Sequence, residues 1–184
     1  MISQSGLPDT VTHNFNPIRG RFQNICDLPR SDAESILHEI RQSQNSRLKP
    51  NYLERRLNVE KWLRTERRKI IGSTSRKTPI YFFVGDFSDG QDPMRPQSLK
   101  MRLSAFPEST ITFTYSDSMT CFEEAKSADK NSPPFAGRLF TLSGLKDVVS
   151  EWGMPSNFGI SQPGHNPFIE MQLWDDAPLR EMGF

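Results

Sequence analysis

Pro79-Ile80-Tyr81-Phe82-Phe83-Val84-Gly85 is the stretch that decides the fold. Five consecutive apolar residues lie between a proline and a glycine, a length and composition that suit a strand rather than a helix. Apolar side chains at both odd and even positions mean that both faces of the strand are buried. It is therefore expected at the centre of a sheet, with packed material on either side.

Working outward toward the C-terminus, the period stays near 2. Leu99, Met101 and Leu103 alternate with Lys100 and Arg102, and Ile111, Phe113 and Tyr115 alternate with Thr112 and Thr114. Each reads as a half-buried strand. Leu139 to Leu142 reads as another. Phe168 to Trp174 is the last, with Ile169, Met171 and Leu173 inward and Glu170 and Gln172 on the solvent side. Residues 85–98 and 153–167 are rich in glycine and proline and read as loops.

Toward the N-terminus the period changes to 3.6. Ser31 and Glu34 have capping-box spacing, and Ala33, Ile36, Leu37 and Ile40 place one apolar face on a helix over 31–43. Pro50 and Gly72 suit the start and end of a second, longer helix. Its stripe is Tyr52, Val59, Leu63 and Ile70, widened by Leu53, Leu57 and Trp62. A short helix is expected over 119–126. Another follows Ser143, with Leu145, Val148, Val149 and Trp152 on one face and Gly153 as its stop. The Tyr115-Ser116-Asp117-Ser118-Met119 turn leaves a strand end and reads as an Asx turn or helix cap. Residues 1–20 are polar and aperiodic and read as a flexible arm. The expectation for 21–184 is one α+β domain: a mainly antiparallel sheet of about five strands packed by about three helices.

Several kinds of chemistry have no sequence support. Neither a G-x-G-x-x-G nor a G-x-x-x-x-G-K-[ST] phosphate loop occurs. Cys26 and Cys121 show no C-x-x-C spacing and read as reduced thiols of a cytoplasmic protein. His13, His38 and His165 are isolated, so no metal is expected. Asp86, Asp89 and Asp92 lack EF-hand spacing and read as solvated turn residues. No run approaches the ~18 apolar residues of a membrane span, and no signal peptide is visible.

Charge is unevenly spread. Between Arg47 and Lys77 lie eleven lysines and arginines against three glutamates, a local net of +8 in a chain of formal net charge +1. The second helix therefore carries a basic surface, with Arg55, Arg56, Lys61, Arg64, Arg67 and Arg68 as its anion-binding candidates. A surface of this kind attracts nucleic acid or an acidic protein, and it can equally be a solvated face balanced by the rest of the fold. Docking an anionic partner is the leading expectation, with no cofactor and no membrane partner.

Two resemblances add to this reading. Y-L-x-R-R (Tyr52 to Arg56), Tyr81-Phe82, F-T-Y-x-D-S-M (Phe113 to Met119) and E-x-Q-x-W-D (Glu170 to Asp175) resemble motifs shared by a group of uncharacterised bacterial proteins. That resemblance covers about residues 21–179 and implies no activity. Thr12-His13-Asn14-Phe15-Asn16 resembles the T-H-x-x-N opening of nucleic-acid-modifying ADP-ribosyltransferases of the bacterial toxin type. The aromatic strand at 79–84 and Glu170 ahead of Pro178-Leu179 are similar to later features of those enzymes. This second resemblance implies an NAD-dependent enzyme acting on nucleic acid or protein. Glu170 would stabilise an oxocarbenium-like ribose and orient the nucleophile, and His13 would help to hold NAD.

Overall fold

The computed structural model describes residues 6–43, 48–88, 94–155 and 168–184. They form an α+β fold around one antiparallel sheet of six strands. In chain order the elements are β1 (Thr10–Phe15), α1 (Arg30–Gln42), α2 (Tyr52–Ile70), β2 (Ile80–Val84), β3 (Gln97–Arg102) and β4 (Ile111–Thr114). There follow α3 (Ser118–Ser127), β5 (Leu139–Phe140), α4 (Leu142–Trp152), β6 (Glu170–Leu173) and α5 (Ala177–Glu181). The strand order is β3-β1-β2-β6-β4-β5, so β2 lies inside the sheet as its apolar run requires.

The segment read as an arm is a strand from residue 10. Thr10–Phe15 pairs with β3 on one side and with β2 on the other. Thr12, His13 and Asn14 hide it from a hydrophobicity reading, yet Val11 and Phe15 are buried on one face while Thr12 accepts and donates hydrogen bonds on the other.

Strand alternation divides the molecule into two layers of different chemistry. On one face, Ile80, Leu173 and Ile111 form a cross-strand row, and Phe82, Met171 and Phe113 form the next. Leu142, Leu145 and Val149 of α4 close over these rows. Each fully buried side chain of this kind stabilises by roughly 1.5–3 kcal/mol relative to exposure. On the other face the rows are Tyr81-Gln172-Thr112 and Phe83-Glu170-Thr114. Val59 and Leu63 of α2 and Met119 and Phe122 of α3 pack there against Leu139 and Trp174. All four residues of β6 are consequently buried, and Glu170 and Gln172 do not face solvent as expected, because α2 and α3 lie over them. The first helix packs on the start of the second, with Ala33 and Leu37 against Leu53.

Helix ends follow local chemistry with two departures. Ser31 and Glu34 make no capping box: α1 starts one residue earlier, Glu34 pairs with Arg30 at 2.8 Å, and the cap position is Pro29. The cap of α4 is Thr141 rather than Ser143, its hydroxyl accepting from the Gly144 N–H at 3.2 Å. Gly153 ends α4 at φ 79°, a conformation that favours glycine. Asp117 caps α3 as its turn suggests, accepting from the Thr120 N–H at 3.0 Å.

Candidate functional site

A buried polar centre lies where α2 and α3 cover β6. Its core is Glu170, 7% exposed, which the β pleat points away from the apolar layer and toward the helices. The Oε1 atom accepts from the Ser118 N–H at the start of α3 and from Nε2 of Gln172, both at 3.2 Å. Among the described residues, none donates to Oε2. Burial pushes the Glu170 carboxyl up to about 7, against the nearby Arg56 charge and the Ser118 hydrogen bond, which pull it down. The centre can therefore hold or release a proton near neutral pH.

Beneath Glu170 runs a ladder of hydrogen bonds across β4 and β6. Gln172 Nε2 donates to Thr114 Oγ1 at 3.1 Å, and Thr112 Oγ1 donates to Gln172 Oε1 at 3.0 Å. Trp174 Nε1 donates in turn to Thr112 Oγ1 at 2.8 Å. Satisfied partners of this kind are what allow polar side chains to lie inside a protein.

The inner side of α2 supplies the charged part of the centre. Arg56 Nε donates to Glu60 Oε1 at 2.9 Å, a bond between residues one helical turn apart. The same oxygen accepts from Tyr81 Oη at 2.7 Å and from Asn24 Nδ2 at 3.1 Å, while Oε2 is buried without a partner. Burial holds the Tyr81 phenol well above the ordinary tyrosine range, so it stays protonated and donates. The Arg56 guanidinium lies over the Tyr81 ring at 4.1 Å, and its Nη1 donates to Ser118 Oγ at 3.0 Å.

Between β4 and α3 the chain turns through Ser116 at φ 132°. A residue with a side chain pays roughly 1–3 kcal/mol for such a conformation. Its Oγ is buried without a partner. Strain and a carboxyl displaced from its ordinary range thus meet around one acid, a combination concentrated at functional sites.

His13 does not join this centre. It points to the other face of the sheet, between Phe22 and Phe82. Its Nε2 accepts from the Phe22 N–H at 2.9 Å, and its Nδ1 lies 2.9 Å from the Tyr81 carbonyl, which can only accept. The ring is therefore neutral with the proton on Nδ1. Burial pushes it down to about 4.

The six cationic candidates on α2 divide. Arg56 and Arg67 are buried, so they are not the available anion contacts that the charge run suggested. Arg67 donates to the carbonyls of Gly72, Ser73 and Ser109. Arg55 lies 3.7 Å from Glu123. Lys61, Arg64 and Arg68 point outward without an ion-pair partner among the described residues. The buried stripe is rotated accordingly: Leu57 and Ile70 are partly exposed, and Arg56, Glu60 and Arg67 lie beside Val59 and Leu63.

Ser118, Gln172, Tyr81 and Glu60 complete the centre; from sequence Ser118 belongs to a capping turn, Gln172 to a solvent face and Tyr81 to the central strand, and none of the four is a site candidate. The available signal was spacing, since Arg56, Glu60, Leu63 and Arg67 share one side of a helix. Asp86 is an exposed turn residue bonded to Ser88 and Lys100, and its carboxyl is held down to about 2 by those bonds. Asp89, Asp92 and His165 lie outside the described residues. No cluster of three metal-ligating side chains occurs among the described residues, and none of their helices is long and apolar enough to cross a membrane. Comparison with protein-family models, curated proteins and solved structures found no match for the chain.

Proposed function

We propose that this protein is an enzyme of the ADP-ribosyltransferase type, with Glu170 as its catalytic carboxylate and nucleic acid or protein as the acceptor. The observation that carries this reading is the state of one side chain: Glu170 has Oε1 held by two donors and Oε2 left without one. Held in this way, a carboxylate can face positive charge developing on a sugar carbon, or take the proton of an attacking nucleophile, without reorganising. NAD would supply the ADP-ribosyl group: its bond to nicotinamide would break, nicotinamide would leave with the bonding pair, and the ribose carbon would bond to the acceptor, whose proton Glu170 would take. Of the residues that the resemblance suggested, Glu170 fits such chemistry and His13 does not, since both its nitrogens are bonded within the protein. The test is label transfer from NAD to nucleic-acid and protein acceptors. Wild type is expected to transfer, and Glu170→Gln to lose roughly 10²–10⁴-fold. Equal transfer by both rejects Glu170 as catalytic.

The outward side of α2 favours a second reading, the docking of an anionic partner, nucleic acid or acidic protein. Lys61, Arg64 and Arg68 fall within about 60° of one another around the helix axis, and no ion pair within the described residues consumes their charge. Binding through them is expected to weaken steeply with salt. Affinity for a polyanion that does not change between low and high salt rejects it. The cytoplasm is the compartment we assign, because Cys26 and Cys121 are both free thiols. Burial pushes the Cys26 thiol up to about 12 and also raises Cys121, which leaves neither activated as a nucleophile. The motifs around Arg56, Met119 and Glu170 support, as part of this proposal, a relation to the uncharacterised bacterial proteins whose motifs they resemble.

A further inference from the structure

We propose that Arg56 is a positioning residue for Glu170: it clamps the start of α3 against the carboxyl and supplies the positive charge that opposes its burial. This inference rests on Glu170 being the working group.

The connection runs through three elements in two hydrogen bonds. Arg56 on α2 donates to Ser118 Oγ at 3.0 Å, and the Ser118 N–H donates to Glu170 Oε1 on β6 at 3.2 Å. Arg56 has little freedom to do otherwise, because Glu60 holds its Nε at 2.9 Å and the Tyr81 ring lies under its guanidinium. A planar fork serves two acceptors at fixed angles, which an ammonium cannot do in the same way.

Charge makes the same assignment. The groups that bear on Glu170 are Arg56 from α2, Asp117 at the cap of α3, Cys121 within α3 and Tyr81 from β2, with Glu60 behind Arg56. Tyr81 and Cys121 are held neutral by burial, and Asp117 and Glu60 are acidic. Arg56 is the cation in this set. Without it, burial and the neighbouring acid both act to keep the Glu170 proton on.

The test is a carboxyl-carbon NMR titration of Glu170 in the full chain, which needs no substrate. Arg56→Met is expected to move the Glu170 midpoint upward by at least one pH unit, and Ser118→Ala, which keeps the backbone N–H, to move it less. Arg56→Lys should restore part of the shift through charge alone. Arg56→Met leaves Glu60 without its cation, so Arg56→Met/Glu60→Gln is the second variant, with Glu60→Gln as its control. A purely structural Arg56 would leave the midpoint of any folded variant at the wild-type value, and that result overturns the proposal. Failure of the enzyme reading is separate: it is seen as equal label transfer by wild type and Glu170→Gln, whatever the titration shows.

Discussion

The two sides of α2 are built from the same residue types and behave as different materials. On the inner side, Arg56 and Arg67 are almost wholly removed from solvent, and every bond they make ends on the protein itself. On the outer side, Lys61, Arg64 and Arg68 meet solvent. Composition assigned all of them to one basic surface. Burial separates them, because an arginine taken out of water needs partners inside the protein, which Arg56 finds in Glu60 and Ser118 and Arg67 in three carbonyls although its Nε is left without one, whereas an exposed arginine is hydrated.

Breaking the inner side should have the largest effect. Arg56→Ala strands the Glu60 carboxylate and is expected to cost about 3–5 kcal/mol, read from urea unfolding midpoints. Next comes the acid that this side surrounds. Glu170 is raised from an ordinary 4.5 to about 7, so it contributes stability that is complete below pH 4.5 and lost as pH climbs to 7. Glu170→Gln cannot ionise. Relative to wild type it should gain on the order of 3 kcal/mol between pH 4.5 and pH 8, measured as the pH dependence of the unfolding free energy. A difference that does not vary with pH would show that Glu170 is an ordinary exposed carboxylate.

His13 gives the opposite sign on the opposite face of the sheet. Its value falls from 6.5 to about 4, so its contribution is complete above pH 6.5 and is lost as pH falls toward 4. His13→Gln should remove that acid-side loss, also on the order of 3 kcal/mol across the window. The smallest effect on stability belongs to the outer side. Lys61→Glu, Arg64→Glu and Arg68→Glu should each shift unfolding by less than about 0.5 kcal/mol. Together they should abolish salt-sensitive binding to a polyanion, and a triple variant that binds as before removes the docking reading.

How much of this was legible in the sequence depends on whether local pattern or distant covering decided the outcome. Ile80–Val84 announced an inner strand because its own composition demands two buried faces. Asp117 announced a cap because its side chain acts three residues away. By contrast, Glu170 and Gln172 alternate with apolar neighbours just as solvent-facing residues would; only the layer of α2 and α3 above them makes that side an interior. Thr10–Phe15 was passed over because its polar residues are satisfied by Gly85, Phe87 and Ser98, more than seventy positions away in sequence. Arg56 shows both limits: its i, i+4 partner Glu60 was within reach of a pattern, but Ser118 and Tyr81 were not.

His13 and Glu170 stand on opposite faces of one sheet, and their placement makes folding an internal exchange of a proton. Between about pH 5 and 6 the loose chain carries an imidazolium and a carboxylate; the assembled protein carries neither. Calorimetry in buffers of different ionisation enthalpy should find almost no net hydrogen ion taken up or given off at these two positions, although both change state. Across that range the contribution of this pair to stability is flat, not because nothing titrates but because two opposed titrations cancel.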